Sequence, residues 1–126
     1  MSLVEKPQYK DGIVLRNEQN PEEFITVNQL TLIEVIKGIM VKYANKELKE
    51  AESIIELDEF LSEKINSFNK AIQIAHEHEY HWAMLLIYGD LYWHKGVSEI
   101  LPADYREWNR KYRRENGLAK SSFEYA

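Results

Sequence analysis

The hydrophobic pattern of this chain changes period once, near Val27. Before that point, Ile13-Val14-Leu15 and Phe24-Ile25-Thr26-Val27 are two short β-leaning runs, separated by a loop rich in Asn, Gln and Glu that includes Pro21; they predict a short N-terminal β-hairpin within residues 1–27. After it, apolar residues recur at helical spacing. Ile33, Ile36, Met40 and Tyr43 set a repeat of three and four, and Leu32, Val35 and Ile39 widen the stripe past one surface face, so the first helix is expected in the centre of the core. Thr26-x-x-Gln29 and Thr31-x-x-Glu34 both have capping-box spacing, and either one is expected to start that helix. A second helical region is expected from about Glu47 or Asp58 to the histidine stretch, where Leu61, Ile65, Phe68, Ile72 and Ala75 alternate four and three as one continuous stripe.

The stretch Trp82–Trp93, "WAMLLIYGDLYW", is apolar on all sides if helical. A strand–turn–strand through Tyr88-Gly89-Asp90-Leu91 competes, but only Ile87 is β-branched, which favours a helix. Such a helix has to be surrounded, so Trp82, Leu85, Leu86, Tyr88, Tyr92 and Trp93 are expected to form the interface of a homodimer. Pro102 in a first turn, Arg113 and Arg114 in a last turn and Gly117 as a left-handed stop predict a final helix over Pro102–Asn116. Residues 117–126 lack periodicity and read as a flexible tail. The expected fold is a single, mainly α domain, a compact bundle of about four helices over residues 28–116 behind the hairpin.

Within this region, "FNKAIQIAHEHEYHWAMLLIYGDLYWHKG" resembles the join between two tetratricopeptide repeats. Leu85, Tyr88, Gly89, Tyr92 and Gly96 stand at the spacings of that family's first helix, and Phe68 and Ala71 resemble the end of its second. Leu85 replaces the family's usual Trp, Tyr88 replaces its Leu, the linker is longer than the period and no second copy follows. Over these roughly 30 residues the resemblance implies helix-hairpin packing and, at most, a binding scaffold.

Composition narrows the functional classes. A chain of 126 residues is long enough to bury a core without staples, and its zero cysteines exclude disulfides, thiolate zinc sites and cysteine nucleophiles. No apolar run approaches a membrane span and no apolar segment follows the first charges, so the expectation is a soluble, cytoplasmic protein; Met1-Ser2-Leu3 is compatible with an added leader. The five glycines have no Walker or dinucleotide-binding spacing, and no catalytic constellation is recognised.

All four histidines lie between His76 and His94. On one continuous helix, Glu77, His78 and His81 would share an outer face and are the only candidate metal ligands. They lack a fourth ligand, and neither HExxH nor Glu-x-x-His occurs, so neither a metal nor a cofactor is expected.

The net charge of −5 divides into −7 over residues 1–94 and +2 over residues 95–126. Seven acids fall between Glu47 and Glu63, whereas eight of the fifteen aromatics fall between Tyr80 and Tyr112, close to the basic end. In the final helix Tyr105, Trp108 and Tyr112 share one face, expected to dock, and Arg106, Arg110 and Arg113 share a neighbouring face, expected to be presented. Pairing of that arginine stripe with Glu47–Glu63, in the same or a neighbouring subunit, is the structural expectation. The functional one is a ligand site of Arg106, Arg110 and Arg113 with Trp108 stacking on a nucleotide or RNA base. Duplex DNA is disfavoured by the overall acidity. The leading expectation is a non-catalytic protein-interaction module of adaptor, inhibitor or immunity type; the alternative is a binder of a phosphorylated small molecule, nucleotide or RNA.

Overall fold

A computed structural model describes residues 9–125 of the chain; the reading of Met1-Ser2-Leu3 falls outside them. The hairpin forms where the alternating pattern places it. Strand β1 (Ile13–Asn17) runs antiparallel to β2 (Asn20–Val27), in a register that pairs Ile13 with Val27 and Leu15 with Ile25. Ile25 and Val27 are fully buried and alternate with the half-buried Phe24 and Thr26, as a one-faced sheet requires.

The other edge of β2 carries a third strand that the periodicity does not announce. Phe123–Tyr125 forms β3, antiparallel to β2, pairing Phe123 with Val27 and Tyr125 with Ile25. Residues 118–125, expected as part of a flexible tail, are therefore held to the fold. Its order comes from distant partners: the Asn28 backbone N–H donates to the Ser122 carbonyl at 2.8 Å, and the Asn28 side-chain amide donates to the Ser121 carbonyl at 2.9 Å.

Helix α1 (Gln29–Tyr43) is the central element, with Leu32, Ile33, Val35, Ile36, Ile39 and Met40 all buried. Neither threonine caps it. Thr26 lies in β2, Asn28 holds the N-cap position without a side-chain cap bond, and the Thr31 hydroxyl donates to Asp11 Oδ2 at 2.7 Å while accepting from the Ala119 N–H at 2.9 Å.

The region read as one continuous helix from Glu47 or Asp58 is broken twice. It resolves into α2 (Leu48–Leu57), α3 (Glu59–Ser62) and α4 (Phe68–Ala75). Asp58 accepts from the Leu61 N–H and Ser67 from the Lys70 N–H, so Asp58 starts a new helix just ahead of the apolar repeat and Ser67 starts another inside it. Leu61 and Ile65 are nevertheless fully buried, because the buried Gln29 side chain holds the intervening loop to α1: its Nε2 donates to the Glu63 carbonyl at 2.8 Å and its Oε1 accepts from the Ile65 N–H at 3.0 Å.

Helix α5 (Glu79–Tyr88) packs along α1 and ends at Gly89, whose φ of 85° an L side chain rarely adopts. The Trp82–Trp93 stretch is thus a helix followed by a turn: Leu91 is left-handed at φ 56°, and Tyr92–Lys95 forms one 3₁₀ turn. The final helix, α6, covers Tyr105–Glu115, three residues later than Pro102, and Gly117 takes the expected positive φ. The fold is mainly helical: the described residues form six α-helices, of which α2, α5 and α6 pack on α1, with a three-stranded antiparallel sheet at the N-terminal hairpin. Among the described residues no helix is long and apolar enough to cross a membrane.

Candidate functional site

The aromatic face of α6 is spent on packing. Tyr105 is buried, and Trp108 and Tyr112 are half-buried and stacked on each other at 4.8 Å. Tyr43 of α1 meets Trp108 edge-on at 5.5 Å, and Tyr80 of α5 meets Tyr105 at 5.6 Å, so one cluster of rings ties α6 to both neighbours. Close approach at Gly38 completes the seat: a Cβ there would lie 2.6 Å from the Tyr112 ring. Burial, the hydrogen bond to Asp104 and the charge of that carboxylate push the Tyr43 phenol up to about 12. Burial, with the Glu79 charge second, raises Tyr105 as well.

Of the three arginines expected on the presented face, Arg113 turns inward. It is 7% exposed; its Nη2 donates to Glu79 Oε1 at 2.9 Å, its Nε to Asn109 Oδ1 at 2.6 Å and its Nη1 to the Ala119 carbonyl at 3.2 Å. Helix geometry explains the exception. At about 100° per residue, Arg113 falls about 20° from Arg106 on the aromatic side, whereas Arg110 and Arg114 fall about 40° and 80° to the other. Arg106, Arg110 and Arg114 are all exposed.

These residues line a cleft of about 800 Å³ together with Asn109 and Arg113 from α6, and with Leu118 and the exposed Lys120 from the segment that leads to β3. Arg113 builds the second side of the cleft as well as its base, because the Leu118 N–H donates to its carbonyl at 2.8 Å and its guanidinium holds Ala119. Among the described residues no carboxylate lies within ion-pair distance of Arg106, Arg110, Arg114 or Lys120. Glu107 shares the outer side of α6 with Arg110, Lys111 and Arg114, and Lys111 pairs with Glu115 at 3.8 Å.

Among the described residues, no ion pair joins the arginine stripe to Glu47–Glu63. In that segment Glu52 faces Lys37 at 3.6 Å and Glu50 faces Lys46 at 3.8 Å, and the one arginine of the stripe that does pair goes to Glu79. Trp108 is packed against Tyr112 and Tyr43 and is not among the residues that line the cleft. The cleft is thus lined by Arg113 with its guanidinium engaged by Glu79, Asn109 and Ala119, Trp108 is not among its lining residues, and Arg114 and Lys120 are. Arg114 was legible as the next step of an i, i+4, i+8 repeat. Lys120 was not, since its place depends on β3.

The histidines do not form one outer face, because the helix that would align them ends at Ala75. His78 is the N-cap of α5, its Nδ1 accepting from the His81 N–H at 3.1 Å, and His81 Nδ1 lies 3.1 Å from the Tyr92 hydroxyl. Among the described residues no group of three potential ligands, Glu77, His78 and His81 included, is placed to hold one ion.

The dimer set also divides. Tyr92 is 1% exposed and belongs to this chain's own core; Leu85 and Leu86 are half-buried; Trp82 is half-buried, its indole N–H donating to the Ile74 carbonyl at 2.9 Å. Only Tyr88 and Trp93 are exposed, beside the exposed Leu91. The all-round apolar character of α5 is largely used up by α1, α2 and the 3₁₀ turn. The single helix that the tetratricopeptide resemblance implies from Leu85 to Gly96 is likewise interrupted at Gly89. Compared with protein families, curated proteins and solved structures, the chain finds no match.

Proposed function

We propose that this protein is a non-catalytic interaction module, of the adaptor, inhibitor or immunity type, that engages another protein through Arg106, Arg110, Arg114 and Lys120. One observation carries the reading: four cations that have no ion-pair partner among the described residues line one cleft, on a chain of net charge −5. The fold uses Tyr105, Trp108, Tyr112 and Arg113 for its own packing, and it has no comparable use for these four. Arginine-rich, partly apolar concavities suit protein recognition, where guanidinium forks bind oxygens and their stems cover apolar surface. Self-association is a second part of the proposal, with Tyr88, Leu91 and Trp93 as the side chains left to support it. Binding of a phosphorylated small molecule, nucleotide or RNA would draw on the same guanidinium groups.

The test is affinity purification from the native host with the wild-type chain and with the Arg106→Glu/Arg110→Glu variant. The proposal expects a protein retained by the wild type and lost from the variant, with an unchanged melting temperature. Retention of the same proteins by both chains contradicts it.

A further inference from the structure

Resting on that reading, we infer that the cleft takes a carboxylate-rich segment of a different protein, carrying an apolar residue among its acids. Arg106, Arg110 and Arg114 succeed one another at about 6 Å along the axis of α6, spanning about 12 Å. Carboxylates repeat at nearly this interval on one face of an extended chain, about 6.6 to 6.8 Å for every second residue, or on the i, i+4 ridge of a helix. Lys120 stands in the same cleft on the segment that leads to β3, and Leu118 supplies the apolar contact.

Phosphates of a single strand would meet the same spacing, so other features decide. Nucleobase binding needs a stacking ring, and none of the described residues that line the cleft is aromatic. A base edge needs a free reader, and the Asn109 amide already donates to the Tyr105 hydroxyl and accepts from Arg113. A long polyanion would run out of the cleft onto a chain whose first 94 residues carry −7, whereas a short acidic segment ends within a Debye length of about 8 to 10 Å of the guanidiniums. A second copy's Glu47–Glu63 is the less fitting source, because Glu50, Glu52 and Asp58 there are already held by Lys46, Lys37 and the Leu61 N–H.

The test measures fluorescence anisotropy of two labelled probes on the full chain at low salt: a short peptide of Glu-Glu-Leu repeats and an oligouridylate of equal charge. The peptide is expected to bind, to weaken at least about tenfold in both Arg110→Glu and Lys120→Glu, to weaken with added salt, and to be little affected by Lys111→Glu, outside the cleft. Unchanged melting temperatures would show that the variants fold. Tighter binding of the oligouridylate, or peptide binding indifferent to Arg110 and Lys120, overturns the inference. If neither probe binds while the co-purifying protein is still lost from Arg106→Glu/Arg110→Glu, the inference fails and the interaction reading stands.

Discussion

Arg113 and Glu79 meet at 2.9 Å, with side chains 9% and 17% exposed, and so join the last helix to the first turn of α5. The Ser122 hydroxyl donates to the same Glu79 oxygen, which ties the approach to β3 into the pair. Two arginines three residues apart on one helix therefore do opposite work. Removing one partner of a buried pair leaves the other charge without compensation, so Arg113→Ala is expected to cost about 3 to 5 kcal/mol in urea denaturation. Arg110→Ala, exposed and without an ion-pair partner among the described residues, should stay within about 0.5 kcal/mol of wild type. Equal effects would show that the inward and outward assignments are wrong.

Deleting residues 118–126 should destabilise the whole chain and not merely shorten it. The deletion strips β2 of its β3 partner and removes the carbonyls that accept from Asn28 and Arg113. Amide hydrogen exchange is expected to accelerate in β2 and at the start of α1. Unchanged protection there would return the segment to the status of a tail.

What could be read from the sequence was whatever rested on neighbouring residues. The hairpin, the buried α1 stripe, the inward Tyr105-Trp108-Tyr112 face and the stop at Gly117 all follow from period and turn chemistry within a few positions. Asp58 was legible as a possible helix start, but Ser67 was missed as a cap because the apolar spacing from Leu61 to Ala75 runs straight through it, although Ile65 is buried from a loop. β3 and Lys120 were missed because Asn28 and Ser121 lie 93 residues apart, beyond any local pattern. Arg113 sits at the edge between two helix faces, and only Glu79, 34 residues earlier, decides which way it turns.

Gly38→Ala tests the seat of α6. Alanine favours a helix over glycine by about 1 kcal/mol, but its Cβ would meet the Tyr112 ring at 2.6 Å, and that ring is backed by Trp108. Overpacking of this kind costs about 1 to 3 kcal/mol, so the melting temperature should fall. Tyr112→Leu in the same background should recover part of the loss. A more stable Gly38→Ala protein would mean that α6 does not lie against α1 as described.

Tyr43 gives the fold a dependence on alkaline pH. Its phenol is raised from 10.0 to about 12, so the folded state holds the proton more tightly than the unfolded one. The stabilisation is complete below pH 10 and is lost as pH rises through about 12. Urea midpoints should fall over that window, and Tyr43→Phe, which lacks the ionising group, should flatten this part of the decline. An identical profile for both proteins would contradict the assignment.

The claim that the arginine cleft is the binding surface is tested most directly by amide hydrogen exchange of the chain alone and in complex with its co-purified partner. Protection on binding is expected across Arg106–Arg114 and at Leu118–Lys120, with β1 unaffected. Protection confined to Tyr88–Trp93, with α6 exchanging as in the free chain, would contradict the account and move the binding surface to the exposed aromatic turn.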